Sequence, residues 1–142
     1  PLTKGYAAFK LVDMPPVLDL PQGTIHATLL PHGGINTLGL VFTEKSSGRK
    51  FAYYSDCKRI PHEAVGLAKG ADAVCLDGLR PEPHPTHMNI EDACAAAGVI
   101  GARKTYLTHL THGVDHEAWT KRLAESHPGI ELAYDGLRLK LQ

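Results

Sequence analysis

A mixed α/β fold, with strands and helices in separate layers, follows from three features of the sequence. The first third is rich in β-branched and apolar runs broken by Gly and Pro. Beyond Ile60, helix-like stretches begin to alternate with short apolar runs. Four runs end directly on a histidine or an aspartate: Thr24 to Pro31 before His32, Lys50 to Ser55 before Asp56, Ala73 to Leu76 before Asp77, and Lys104 to Thr108 before His109. Runs of this composition read as strands. Strands alternating with helices imply a sheet covered by helices on at least one face, and ligands of open α/β sheets collect outside the carboxyl ends of the strands.

Taken in order, Tyr6–Leu11 reads as a strand, and a connection interrupted by Pro15, Pro16 and Pro21 leads to the strand that ends at His32. Gly33-Gly34 turns the chain into a strand over Asn36–Thr43. The polar stretch from Glu44 to Arg49 feeds the strand ending at Asp56, which completes a three-stranded meander. Pro61–Lys69 reads as a helix. Asn89 and Asp115 are N-cap residues for helices running to about Gly98 and about Ser126, because a short acceptor side chain satisfies the first free amides of a helix. Strands are expected at Ala73–Leu76, Lys104–Thr108, Glu131–Tyr134 and Leu137–Leu141.

The 142 residues suit one domain with a single core. Lys plus Arg and Asp plus Glu both number 15, so no net charge draws the chain to nucleic acid or to an anionic membrane. A small anionic substrate stays open through local groups. Three cysteines, Cys57, Cys75 and Cys94, are an odd number without C-x-x-C spacing, which argues against a disulfide framework or a zinc knuckle and fits a reducing cytoplasm. No apolar run approaches the ~18 residues of a membrane span. The opening Pro1-Leu2-Thr3 carries no initiator Met, and an amino-terminal portion is expected to precede it.

Each polar group has a plain alternative role. His32 beside Gly33-Gly34 reads alone as a surface or capping residue, and Asp56 as a turn cap. The run from Leu107 to His116 holds His109, His112 and His116, a density that chance explains poorly. His112 and His116 have the i, i+4 spacing of H-E-x-x-H. Gly113 and the capping Asp115 break that interval, so both are assigned to hydrogen-bonded support or the surface. His26, mid-strand, and His127, beside Pro128, are read as structural or exposed.

Together, Tyr53-Tyr54-Ser55-Asp56, Leu76-Asp77-Gly78-Leu79-Arg80 with Pro83-His84-Pro85-Thr86-His87, Leu107-Thr108-His109-Leu110-Thr111-His112, and Leu132-Ala133-Tyr134-Asp135-Gly136-Leu137 resemble the carboxyl-terminal half of metallo-β-lactamase-fold hydrolases. The nearest branch resembles the phosphoribosyl 1,2-cyclic phosphate phosphodiesterases, relatives of the tRNA 3′-processing nucleases. The resemblance implies that residues 1–142 form one partial domain, the second half of an αββα sandwich. It makes His32 a metal ligand, Asp56 the aspartate bridging two ions and a catalytic residue, and His109 the late histidine ligand of the second ion. His87 becomes a catalytic histidine that contacts phosphate or protonates the leaving oxygen without binding metal. Asp135-Gly136 receives no catalytic role. The family's H-x-H-x-D-H motif, which supplies four more ligands, occurs nowhere in these residues; in the family it precedes the region that starts here.

The implied complete enzyme holds two Zn2+ or Mn2+ ions and hydrolyses a small, cyclic phosphodiester. Such ions lower the pKa of water from 15.7 toward ~7, and a pair about 3.5–4 Å apart stabilises the oxyanions of an in-line displacement. This chain alone is expected to be inactive, and its exposed apolar sheet surface to favour homo-oligomers. Two alternatives remain: a related hydrolase acting on a thioester, a lactone or an RNA phosphodiester, since a fold does not fix a reaction, or a non-catalytic half-domain that serves as a binding module.

Overall fold

The hairpin at Gly33-Gly34 anchors the sheet. His32 pairs with Ile35 across a two-residue turn, and Gly33 takes the left-handed conformation (φ 60°) that such a turn requires. In the computed structural model, which describes residues 12–141, the elements in chain order are β1 (Val17–Asp19), β2 (Gly23–His32), β3 (Ile35–Glu44), β4 (Lys50–Tyr54), α1 (His62–Ala68), β5 (Ala73–Asp77), α2 (Ile90–Ile100), β6 (Thr105–Thr108), α3 (His116–Ser126) and β7 (Ile130–Leu132). They build one seven-stranded sheet whose strands neighbour one another in sequence order. β1 to β4 are antiparallel, and β4 to β7 are parallel. The change falls where helices first separate the strands, because a parallel pair needs a long crossover.

The meander, the three helices and the strands ending at His32, Asp56, Asp77 and His109 match the sequence reading. Asn89 and Asp115 cap as expected, accepting from the amides of Asp92 and Ala118. Two details differ. β1 lies in the stretch read as a Pro-interrupted connection; it is an edge strand paired only to β2, where flanking prolines are tolerated. Leu137–Leu141 is not a strand. The Tyr134 to Leu137 turn, with Gly136 at φ 89°, leads this segment away from β7, and it lines a hollow with Asp72, Arg103 and Tyr106 instead. The strand expected at Tyr6–Leu11 falls outside the described residues.

Alternation along the strands separates two faces. Leu30, Val41, Ala52, Tyr54, Val74, Leu76, Leu107 and Leu132 share one face, and all join a single cluster with Ala64 and Ala68 of α1, Ile90, Ala93, Cys94, Ala97 and Ile100 of α2 and Leu123 of α3. The other face is also apolar: Leu29 pairs with Leu38, Ile25 with Phe42, Phe42 with Phe51, and Tyr53 with Cys75. The buried residues of the three helices all join the cluster on the first face. Leu29 is 59% exposed, Leu38 48% and Tyr53 41%, so a broad apolar surface is left open.

Tyr54 fastens β4 to α1. Its ring packs on Gly39, and its hydroxyl donates to the Ala64 carbonyl at 2.8 Å. A Cβ at Gly39 would lie 2.7 Å from Tyr54 Cδ1 and 2.9 Å from Leu30 Cδ1. Gly39→Ala therefore overpacks two fully buried side chains and is expected to lower stability by about 1–3 kcal/mol, read as a lower urea midpoint. Gly34→Ala, where nothing lies within 4 Å, is the control and should leave the midpoint nearly unchanged.

Candidate metal centre

The carboxyl ends of β2, β4, β5 and β6 bring four predicted or noted residues to one edge of the sheet. Asp56 and His109, just beyond β4 and β6, both sit in the left-handed region, at φ 58° and 62°. Asp and His tolerate that region better than most residues, yet the conformation costs about 1–3 kcal/mol and persists only where the surroundings hold it. Here backbone and side-chain bonds do so. Thr37 Oγ1 donates to the Asp56 carbonyl at 2.9 Å, Lys58 N–H to Pro31 O at 2.8 Å, and Met88 N–H to Cys57 O at 2.8 Å. Gly78 N–H reaches Thr108 O at 3.0 Å and Thr111 N–H reaches Leu79 O at 2.9 Å, which ties the loop after β5 to the loop after β6.

The side chains converge on His87. Its ring centroid lies 4.6 Å from that of His32, 4.9 Å from that of His84 and 4.9 Å from that of His109. His87 Nδ1 donates to Asp77 Oδ2 at 2.8 Å, and the same oxygen accepts from the Cys57 amide at 2.9 Å. His32 Nδ1 donates to the Thr86 carbonyl at 3.1 Å, which leaves its Nε2 without that proton. Asp56 Oδ1 lies 3.5 Å from His32 Nδ1 and 3.6 Å from His87 Nδ1. Asp77 Oδ1 lies 3.8 Å from His109 Nδ1 and, although buried, has no hydrogen-bond partner among the described residues. Buried carboxylate oxygens are rarely left bare, so a cation or donor is the natural complement.

Two triads of donor atoms result, each within 4.8 Å: His32, Asp56 and His87, and Asp77, His87 and His109. Imidazole and carboxylate donors at this spacing suit a divalent transition ion. All four predicted site residues are therefore gathered, but His32, Asp56 and His109 do not form one triad by themselves; His87 joins the two groups. Exposure separates the set, since the Asp77 side chain is fully buried and that of His87 11% exposed, while Asp56 and His109 are 46% and 43% exposed. Asp77 is the residue the sequence reading left off its site. Its signal was the same as for the others, an apolar run ending on an acid. His112, His116, His26 and His127 belong to neither triad.

The thiols lie outside this chemistry. Burial, then the charges of Asp77 and Asp56, push Cys57 up to about 12, and burial raises Cys75 and Cys94 to about 11, so all three are protonated at neutral pH. At His84, desolvation, then the neighbouring His87 and Arg80, lower the pKa.

The family model for the β-lactamase superfamily domain matches residues 9–110. The chain belongs to the β-lactamase superfamily. Its sheet and helices have the metallo-β-lactamase fold. A diphosphatase of the PhnP family superposes with a TM-score of 0.78 at 31% identity, over 89% of this chain and 46% of that one. The human short-form tRNase Z superposes with a TM-score of 0.68 at 22% identity, over 88% and 46%, a likeness of fold. An octanoyltransferase of Porphyromonas gingivalis is 31% identical over 139 residues, 94% of this chain and 26% of that protein. The chain thus spans less than half the length of these relatives.

Asp77→Ala leaves the Cys57 amide and the His87 Nδ1–H without an acceptor. Two orphaned buried donors are expected to lower stability by about 2–4 kcal/mol, measured by urea denaturation. A cost no larger than that of an ordinary surface substitution would show that Asp77 does not hold this edge together.

Proposed function

We propose that the chain is the carboxyl-terminal half of a metal-dependent phosphodiesterase acting on a small phosphodiester. The observation that carries this reading is the gathering of His32, Asp56 and His109 around His87 at the strand carboxyl ends. Identity of 31% to a PhnP-family diphosphatase supports the substrate class. The open apolar face with Leu29, Leu38 and Tyr53 supports a second sheet packing there in the complete enzyme, as does the 46% coverage of the diphosphatase. Exposed apolar patches of this kind mark surfaces that are covered by a partner.

In this reading His32, Asp56 and His109 are the residues that would hold two ions, Zn2+ or Mn2+, and Asp56 would serve both. Bound there, such ions supply a Lewis acid for the phosphoryl oxygens and a nucleophile at neutral pH. The remaining work falls to the chain. Asp77 fixes the tautomer of His87 by accepting from Nδ1, so Nε2 is the nitrogen turned to the substrate's phosphoryl or leaving oxygen. His32 is oriented in the same way by the Thr86 carbonyl. Gly33 allows that loop to close, since a Cβ there would lie 2.8 Å from Thr86 Cγ2. The transferase name of the Porphyromonas protein belongs to a chain of which this one covers 26%.

In the full-length enzyme, His87→Ala should retain its metal, counted by plasma mass spectrometry, and lower kcat for an alkyl phosphodiester by about 10²–10⁴. A nitrophenyl ester, whose leaving group needs little protonation, should lose much less. Equal losses on both substrates point to phosphate binding by His87, and loss of metal points to ligation. The isolated 142 residues are expected to show little or no turnover with either substrate; robust zinc-dependent hydrolysis by this chain alone contradicts the half-domain assignment.

A further inference from the structure

The peptide that links Asp56 to Cys57 is gripped at both of its polar ends. β4 lies between β3 and β5 in the sheet, and each neighbour sends one side chain to this peptide just past the end of β4. Thr37 Oγ1 of β3 donates to the Asp56 carbonyl at 2.9 Å, and Asp77 Oδ2 of β5 accepts from the Cys57 amide at 2.9 Å. A peptide unit is planar, so fixing its oxygen and its N–H fixes the whole plane. Turning that plane breaks both bonds at once. Thr37 is half-buried opposite Leu30, two positions before His32, and its hydroxyl has only a more distant second acceptor, the Leu30 carbonyl at 3.4 Å. A hydroxyl carries one proton to donate, and the shorter bond takes it. Asp56 needs such support, because its backbone is left-handed at φ 58°, a conformation that persists only where the surroundings hold it. Its carboxylate reaches within 3.5 Å of His32 Nδ1 and 3.6 Å of His87 Nδ1, so a shift of this backbone moves a donor atom out of the cluster.

We infer that Thr37, which belongs to neither donor triad, is a positioning residue of the metal centre: working opposite Asp77, its hydroxyl locks the Asp56–Cys57 peptide and so keeps the Asp56 carboxylate between His32 and His87. The inference rests on the metal-dependent reading for the ions that Asp56 would serve. It gives a strand residue a share in metal retention.

Valine has the strand preference and nearly the shape of threonine without its hydroxyl, whereas serine keeps the hydroxyl. In crystal structures of the metal-free, full-length protein, wild type and Thr37→Ser are expected to hold Asp56 at positive φ with its carbonyl turned to residue 37. Thr37→Val should show this peptide turned away, and Thr37→Ala, which cannot overpack, should behave alike. In competition with a chelator, Thr37→Val should bind Zn2+ about tenfold more weakly than wild type, while Thr37→Ser stays within about threefold. An Asp56 backbone unmoved in both Thr37→Val and Thr37→Ala overturns the inference, as does a Thr37→Ser that loses as much affinity as Thr37→Val, or a Zn2+ affinity that is unchanged although the peptide has turned. Zn2+ uptake and turnover of bis(p-nitrophenyl) phosphate by wild type report the parent reading separately: if both are absent the phosphodiesterase assignment falls, and the metal-free structures still decide the role of Thr37.

Discussion

The carboxylate of Asp77 is fully buried at the end of a central parallel strand, and one of its oxygens accepts from both the Cys57 amide and the His87 ring. Those two bonds join three separate segments: the strand end itself, the loop after β4 that carries Asp56, and the loop before α2 that carries His87. Breaking a buried acceptor free of its donors leaves each donor unsatisfied at a cost of about 1–3 kcal/mol. The arrangement therefore holds only as a unit. The histidine and aspartate geometry around it is a consequence, because Asp56 and His109 are held in left-handed backbone that neither would keep alone.

The sheet supplies the platform, and helices cover one of its two faces. Its helix-covered face is dry and continuous, from Leu30 in β2 to Leu132 in β7. Its second face is as apolar and pairs aromatic with aromatic across β3 and β4, where Phe42 and Phe51 stack at 6.0 Å. A sheet that faces water on one side normally alternates apolar with polar residues. This one does not, and the relatives of which it spans less than half show the same fold in longer chains.

How much was legible in the sequence depended on whether the signal was local. The hairpin, the capped helices and the strand-end residues were read because Gly33-Gly34, Asn89, Asp115 and the apolar runs before His32, Asp56 and His109 each carry their meaning within a few residues. β1 was hidden by its flanking prolines, which an edge strand tolerates. Leu137–Leu141 has the composition of a strand, but the turn at Gly136 leads it away from β7 to the hollow beside Asp72 and Arg103. Asp77 ended a run like the others, yet nothing local reveals that it reaches across to Cys57 and His87, residues 20 and 10 positions away. The same applies to His87 as the vertex of two triads, which needs the folded sheet to appear.

The left-handed backbone at Asp56 and His109 has an evolutionary side. Glycine occupies that conformation without strain, so replacing either residue by glycine removes a side chain of the donor cluster and at the same time relaxes the chain. Loss of chemistry would then be accompanied by a gain in stability rather than a penalty, the usual trade between activity and robustness in compact form. Either donor side chain can therefore be lost in a single substitution while the backbone keeps its course.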